Sequence, residues 1–162
     1  METLKINYIK LLKRANDIAK ISVKDGNNPF GSILVDSEGK ILVQSGNVEI
    51  TQGISTGHAE LKVCEIASKN YSREFLKTST LITTVEPCAM CAGAIYWTGI
   101  GNVVYGIEER ELKLLTGNDA RNPTMSLDCR KVLNSGQKEI NIYGPFEEVK
   151  DEIIQVHKMY WK

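Results

Sequence analysis

Thr80-Leu81-Ile82-Thr83-Thr84-Val85-Glu86-Pro87-Cys88-Ala89-Met90-Cys91-Ala92-Gly93-Ala94-Ile95-Tyr96-Trp97 is the stretch on which the fold turns. Its first six residues are rich in β-branched side chains and read as a strand. Pro87 follows at once and suits the first turn of a helix, where its missing N–H costs nothing. Cys88 to Trp97 then predicts that helix, and Gly99 stops it. A strand feeding a helix is the building unit of an α/β layer.

Working outward, Asn102 to Gly106 reads as a short strand, Glu139 to Tyr143 as a last strand and Phe146 to Trp161 as a last helix. Between them, Gly117, Pro123 and Gly136 break residues 107–137, and no element is assigned there. Upstream, Leu4, Tyr8, Leu11, Leu12, Ala15, Ile18 and Ala19 recur at helical steps up to about Lys24, where Asp25-Gly26-Asn27-Asn28-Pro29 ends the pattern. Ser32–Asp36 and Lys40–Gln44 flank Ser37-Glu38-Gly39 and predict a hairpin. Both strands are nearly continuous apolar runs, which predicts a sheet covered on both faces. A polar stretch, Glu49 to Gly57, leads into a helix over His58 to Asn70. The expected fold is α/β, a three-layer α-β-α sandwich. Its mixed sheet has about five strands, and a single domain spans residues 1–162.

Twenty Lys and Arg balance twenty Asp and Glu, with a pI near 6.7. That balance argues against a disordered chain of high net charge and against a domain built mainly to grip a phosphate backbone. The longest apolar run, Cys88 to Trp97, is ten residues, half of what a bilayer span needs. The N-terminus reads as amphipathic and not as a secretory signal, so a cytoplasmic location is expected. Four cysteines in a reducing compartment are not read as disulfides. The pair Cys88-x-x-Cys91 therefore asks for a metal or a redox role.

On a helix, Cys88 and Cys91 share one face at its N-terminus, where the macrodipole favours thiolate, the form that binds zinc. His58 also falls at a helix start. His58 and Glu60 are about 200° apart around a helix axis, so they converge on one site only if that helix points its end at it. Two helix N-termini meeting would bring His58, Cys88 and Cys91 around one zinc ion. Three protein ligands leave a fourth position for water, as in catalytic sites. Glu60, close but unligated, is placed to carry the proton of that water. A redox pair or a structural zinc knuckle is the competing reading of the two cysteines, with Cys64 and Cys129 as candidate fourth ligands. A zinc-stabilised domain without activity belongs with it.

His58-Ala59-Glu60, Glu86-Pro87-Cys88-Ala89-Met90-Cys91 and Ala92-Gly93-Ala94-Ile95 resemble the cytidine/deoxycytidylate deaminase superfamily. The resemblance runs from about Pro29 to Tyr105. Pro29-Phe30-Gly31 and Ile95-Tyr96-Trp97 are most similar to its bacterial guanine deaminase branch. It implies a zinc-dependent hydrolytic deaminase of a free nucleobase or nucleoside, guanine first. Cytosine or another small base, and adenosine in tRNA, are the alternatives. It also implies that Asn47, eleven residues before His58, contacts the base, and that Asp119, twenty-eight after Cys91, grips the guanine edge. Phe30 and Trp97 are candidates to touch the ring. A homodimer is expected from the family, with Tyr160-Trp161 resembling an aromatic tail that closes over the partner's pocket. Asn47 and Asp119 also suit turns, and Phe30 and Trp97 also suit a core. Ser55-Thr56-Gly57 departs from the family's usual Pro-Thr-Ala, and Thr124 to Gly136 has no match to the guanine branch.

Overall fold

The computed structural model describes residues 6–161. The chain begins with α1 (Tyr8–Lys24), followed by the hairpin β1 (Gly31–Val35) and β2 (Ile41–Gly46). Next come α2 (Glu49–Gln52), α3 (Ala59–Asn70), α4 (Arg73–Leu76), β3 (Thr80–Val85), α5 (Ala89–Thr98) and β4 (Asn102–Ile107). The last third holds α6 (Glu109–Thr116), α7 (Cys129–Leu133), β5 (Asn141–Tyr143) and α8 (Glu147–Tyr160). The Leu4 end of the first expected helix lies outside the described residues.

The sheet order is β2-β1-β3-β4-β5. β1 pairs antiparallel with β2 and β3, while β3–β4 and β4–β5 are parallel, so the sheet is mixed. Alternation along the strands sorts the core into two layers. Leu34, Leu81, Val103 and Tyr105 face a cluster with Val63 and Cys64 of α3 and Ala92 and Ile95 of α5. Ile33, Val35, Ile82 and Val104 face the opposite cluster with Leu12 and Ile18 of α1 and Val149 and Ile153 of α8. This is the three-layer sandwich.

One expectation fails at the edge. β1 is buried along its whole length, but β2 is the edge strand and is only partly covered, with Ile41 38% exposed. An apolar run reports what a strand can bury; its place in the sheet decides how much it does. Residues 107–137 also carry more order than their glycines and proline suggest, namely α6 and α7.

Thr83 lies on β3 two residues after Leu81, so its hydroxyl points into the α3/α5 layer. The hydroxyl donates to Glu60 Oε1 of α3 at 2.5 Å. The carboxyl end of β3 thus leads the chain directly to the N-termini of α3 and α5, where the site lies.

Candidate metal centre and its cleft

His58 is the N-cap residue of α3, and Cys88 is the N-cap residue of α5. Neither side chain caps its own helix; both are turned to the junction of the two N-termini. His58 Nδ1 stands 3.6 Å from Cys88 Sγ and 3.5 Å from Cys91 Sγ. Zinc bonds of about 2.3 Å to sulfur and about 2.1 Å to nitrogen, at a tetrahedral angle, put N and S about 3.6 Å apart. The three donors therefore fit a zinc ion. Cys64 and Cys129 stay out of this group: Cys64 is buried in the α3/α5 core, and Cys129 sits beside Glu86 and Asp128.

The electrostatics of the protein groups suit a cation. Hydrogen bonds from Cys91 and His58 hold the Cys88 thiol down at about 4 against the opposing effect of burial. The hydrogen bond to Cys88 in turn lifts His58 to about 9, with Glu60 and Glu49 adding. Cys91, the more deeply buried sulfur, is pushed up by Cys88 and by desolvation. The outer nitrogen of His58, Nε2, lies 3.3 Å from Glu49 Oε1. A carboxylate on the far nitrogen fixes the tautomer that leaves Nδ1 free for a metal.

Glu60 is buried and outside the ligand set. Burial raises its pKa, while His58 and the Thr83 hydroxyl pull it back. It lines a cleft with about 390 Å³ of empty space, open to solvent, together with His58, Cys88, Phe30 and Asn47. Four carboxyl groups, Glu49, Glu60, Glu86 and Glu109, line the cleft, and no lysine or arginine among the described residues does.

The remaining sequence candidates divide. Phe30 and Asn47 are in the cleft wall. Asn47 is also committed to a turn: Nδ2 donates to Glu49 Oε1 at 2.8 Å and Oδ1 accepts from the Glu49 N–H at 3.0 Å. It thereby positions the carboxylate that holds His58. Asp119 is not brought into the cleft; it is bound by Arg121, with Nη2 2.6 Å from Oδ2, beside Tyr160 and Trp161. Trp97 is 72% exposed, on the outer side of α5 against Tyr96, and does not reach the cleft. The aromatic tail packs on its own chain, with Trp161 Nε1 donating to His157 Nδ1 at 3.0 Å and the His157 ring against Phe30.

Sequence reasoning missed Glu49, Thr83, Glu86 and Glu109. Glu86 lay inside the quoted motif without a role. It is buried, its Oε1 accepting the Glu109 N–H at 3.1 Å and its Oε2 the Cys129 N–H at 2.8 Å. The other three carry no spacing signal, since each reaches the site through a different element.

Comparison with known proteins agrees with this geometry. The model of the cytidine and deoxycytidylate deaminase zinc-binding region matches residues 6–107. The chain is 33% identical over 150 residues to a protein named "Probable cytosine deaminase" from Schizosaccharomyces pombe, covering 93% of this chain and 90% of that one. It is 36% identical over 107 residues to the guanine deaminase of Bacillus subtilis, covering 65% and 68%. A solved structure from work on A-to-I editing by tRNA:A34 deaminases superposes with a TM-score of 0.70 at 23% identity, covering 91% of this chain and 99% of that one. That last likeness is one of fold. Five strands in the order seen here, a His/Cys/Cys group at two helix N-termini and a family match across them lead to one conclusion: the chain belongs to the cytidine and deoxycytidylate deaminase family and is a deaminase of the zinc type.

Proposed function

We propose that the chain hydrolyses the exocyclic amino group of a small free nucleobase or nucleoside, with His58, Cys88 and Cys91 holding zinc and Glu60 carrying protons. The observation that supports this best is the convergence of His58 Nδ1 with both sulfurs at 3.5–3.6 Å beside a buried carboxylate outside the ligand set. A bound zinc ion supplies the Lewis acidity that makes water reactive at neutral pH. Glu60 takes a proton from the attacking water, held in place by the Thr83 hydroxyl, and returns it to the departing nitrogen. Water adds to the ring carbon, the C–N bond breaks, and ammonia leaves with the ring carbonyl formed. Phe30 supplies an apolar wall for the ring.

The four carboxyl groups of the wall, with no lysine or arginine among the described residues, favour a neutral base over a substrate that carries a phosphate next to the reacting ring. Within that class we place cytosine ahead of guanine. The guanine reading relies on Asp119, and Asp119 is paired with Arg121 outside the cleft. Similarity to the fission-yeast protein also runs through the last third of the chain, where walls of the cleft are built. A homodimer and a cytoplasmic location are part of the same family-based reading.

The test is ammonia release from cytosine, guanine, guanosine, adenine and pterins by zinc-loaded protein, alongside Glu60→Gln. Cytosine turnover is expected. Glu60→Gln should keep one zinc per chain and its fold while losing about 10²- to 10⁴-fold in turnover. Turnover retained in Glu60→Gln would sink the proton-carrier role, and guanine turnover without cytosine turnover would reverse the substrate order.

A further inference from the structure

Glu109 is the first residue of α6 and lines the cleft, to which no described lysine or arginine contributes. It is 9% exposed, and its Oε2 is buried without a hydrogen-bond partner. Such an oxygen is costly in a folded protein and asks for an explanation. The residue does not drift into this position. Its backbone N–H is held by Glu86, and the other oxygen of Glu86 holds the N–H of Cys129, so one buried carboxylate ties the starts of α6 and α7 to the end of β3. The scaffold thus holds in place a carboxyl group with one oxygen that no described residue satisfies.

We propose that Glu109 is the specificity-determining carboxyl of the site, its unpaired oxygen accepting a ring N–H on the edge of the bound base away from the leaving amino group. Desolvation, with Cys88, Glu86 and Glu60 adding, lifts this carboxyl to about 8. Its unpaired oxygen offers an acceptor, the complement of a ring N–H. Cytosine presents such an N–H at N1, away from the amino group that leaves. The inference rests on the free-base reading above and names which residue of this chain selects the base.

The experiment uses the zinc-loaded chain carrying Glu60→Gln, so that bound base is not turned over, and measures cytosine and 1-methylcytosine by titration calorimetry. The Glu60→Gln parent should bind cytosine roughly tenfold or more tightly than 1-methylcytosine, which lacks the N–H. Adding Glu109→Leu or Glu109→Ala, both of which keep the backbone N–H that Glu86 holds, should weaken cytosine to the level of the methylated base. Adding Glu109→Gln, which keeps an acceptor and a donor, should retain the preference. Unchanged melting temperature and zinc content identify a folded variant, and two apolar replacements guard against one that does not fold. A preference for cytosine that survives in the Leu and Ala variants overturns the assignment while leaving the deaminase reading intact. A parent that binds neither base overturns the free-cytosine reading and the assignment with it.

Discussion

His58 Nδ1 faces two sulfurs while its Nε2 faces Glu49, and this division of one ring between two partners sets the chemistry of the site. Around it, buried carboxylates do different work according to their partners. Glu60 is held by a hydroxyl, Glu86 by two backbone N–H groups, and Glu109 has an oxygen left over. Glu86→Ala is predicted to destabilise the protein by about 2–5 kcal/mol, because two buried N–H donors lose their acceptor. Glu86→Gln, retaining one acceptor, should lose less. Urea denaturation with unchanged m-values would measure both; a neutral Glu86→Ala would mean those N–H groups find other partners. The two cysteines and His58-x-Glu60 were legible because each pair sits within one helix turn. Glu49, Thr83 and Glu109 were not, since only folding brings α2, β3 and α6 to the same point.

At the scale of elements, the spacing between α1 and the sheet is set by a residue without a side chain. A Cβ at Gly31 would stand 2.1 Å from the Ala15 carbonyl oxygen and 2.7 Å from the Ala19 amide nitrogen. Both are backbone atoms of α1 and cannot step aside. Gly31→Ala is therefore predicted to cost about 3 kcal/mol, seen as a fall in the denaturation midpoint. Since Phe30 and Asn47 flank that contact, the variant should also lose base affinity. The long elements were readable to within a few residues, α1 from periodicity and α3 and α5 from the residues that flank them. The short ones were not. α6 spans eight residues and α7 five, too few turns for a pattern to rise above the glycines and proline around them. The edge position of β2 was equally hidden, because Ile41-Leu42-Val43 reads the same in a central strand.

Across the whole molecule, α8 closes one face of the sheet and carries the tail back over the cleft wall. Tyr160 donates to Asn28 Oδ1 at 2.6 Å, Arg121 stacks over the Tyr160 and Trp161 rings, and His157 is buried against Phe30. Burial lowers His157 from 6.5 to about 4, so it folds neutral. In the pH window between those values the unfolded chain binds a proton that the folded chain refuses. Stability from this residue is thus full above about pH 6.5 and is lost as pH falls toward 4, by about 3 kcal/mol in all. His157→Phe should flatten that part of the profile. Thermal melts from pH 4 to 7 on both proteins would check it, and parallel profiles would refute it. Among the described residues, no helix is long and apolar enough to cross a membrane.

The sequence by itself determined the layer architecture, the strand-to-helix step that presents Cys88 and Cys91, and the donor types at the centre. These follow from local periodicity and from residue spacings shorter than a helix turn. The tertiary structure alone decided which carboxyl groups line the cleft, that Asp119 is drawn off to Arg121, and that Glu109 is left with an oxygen unpaired among the described residues. Those outcomes depend on which distant side chains compete for the same partner, and no local pattern records that competition.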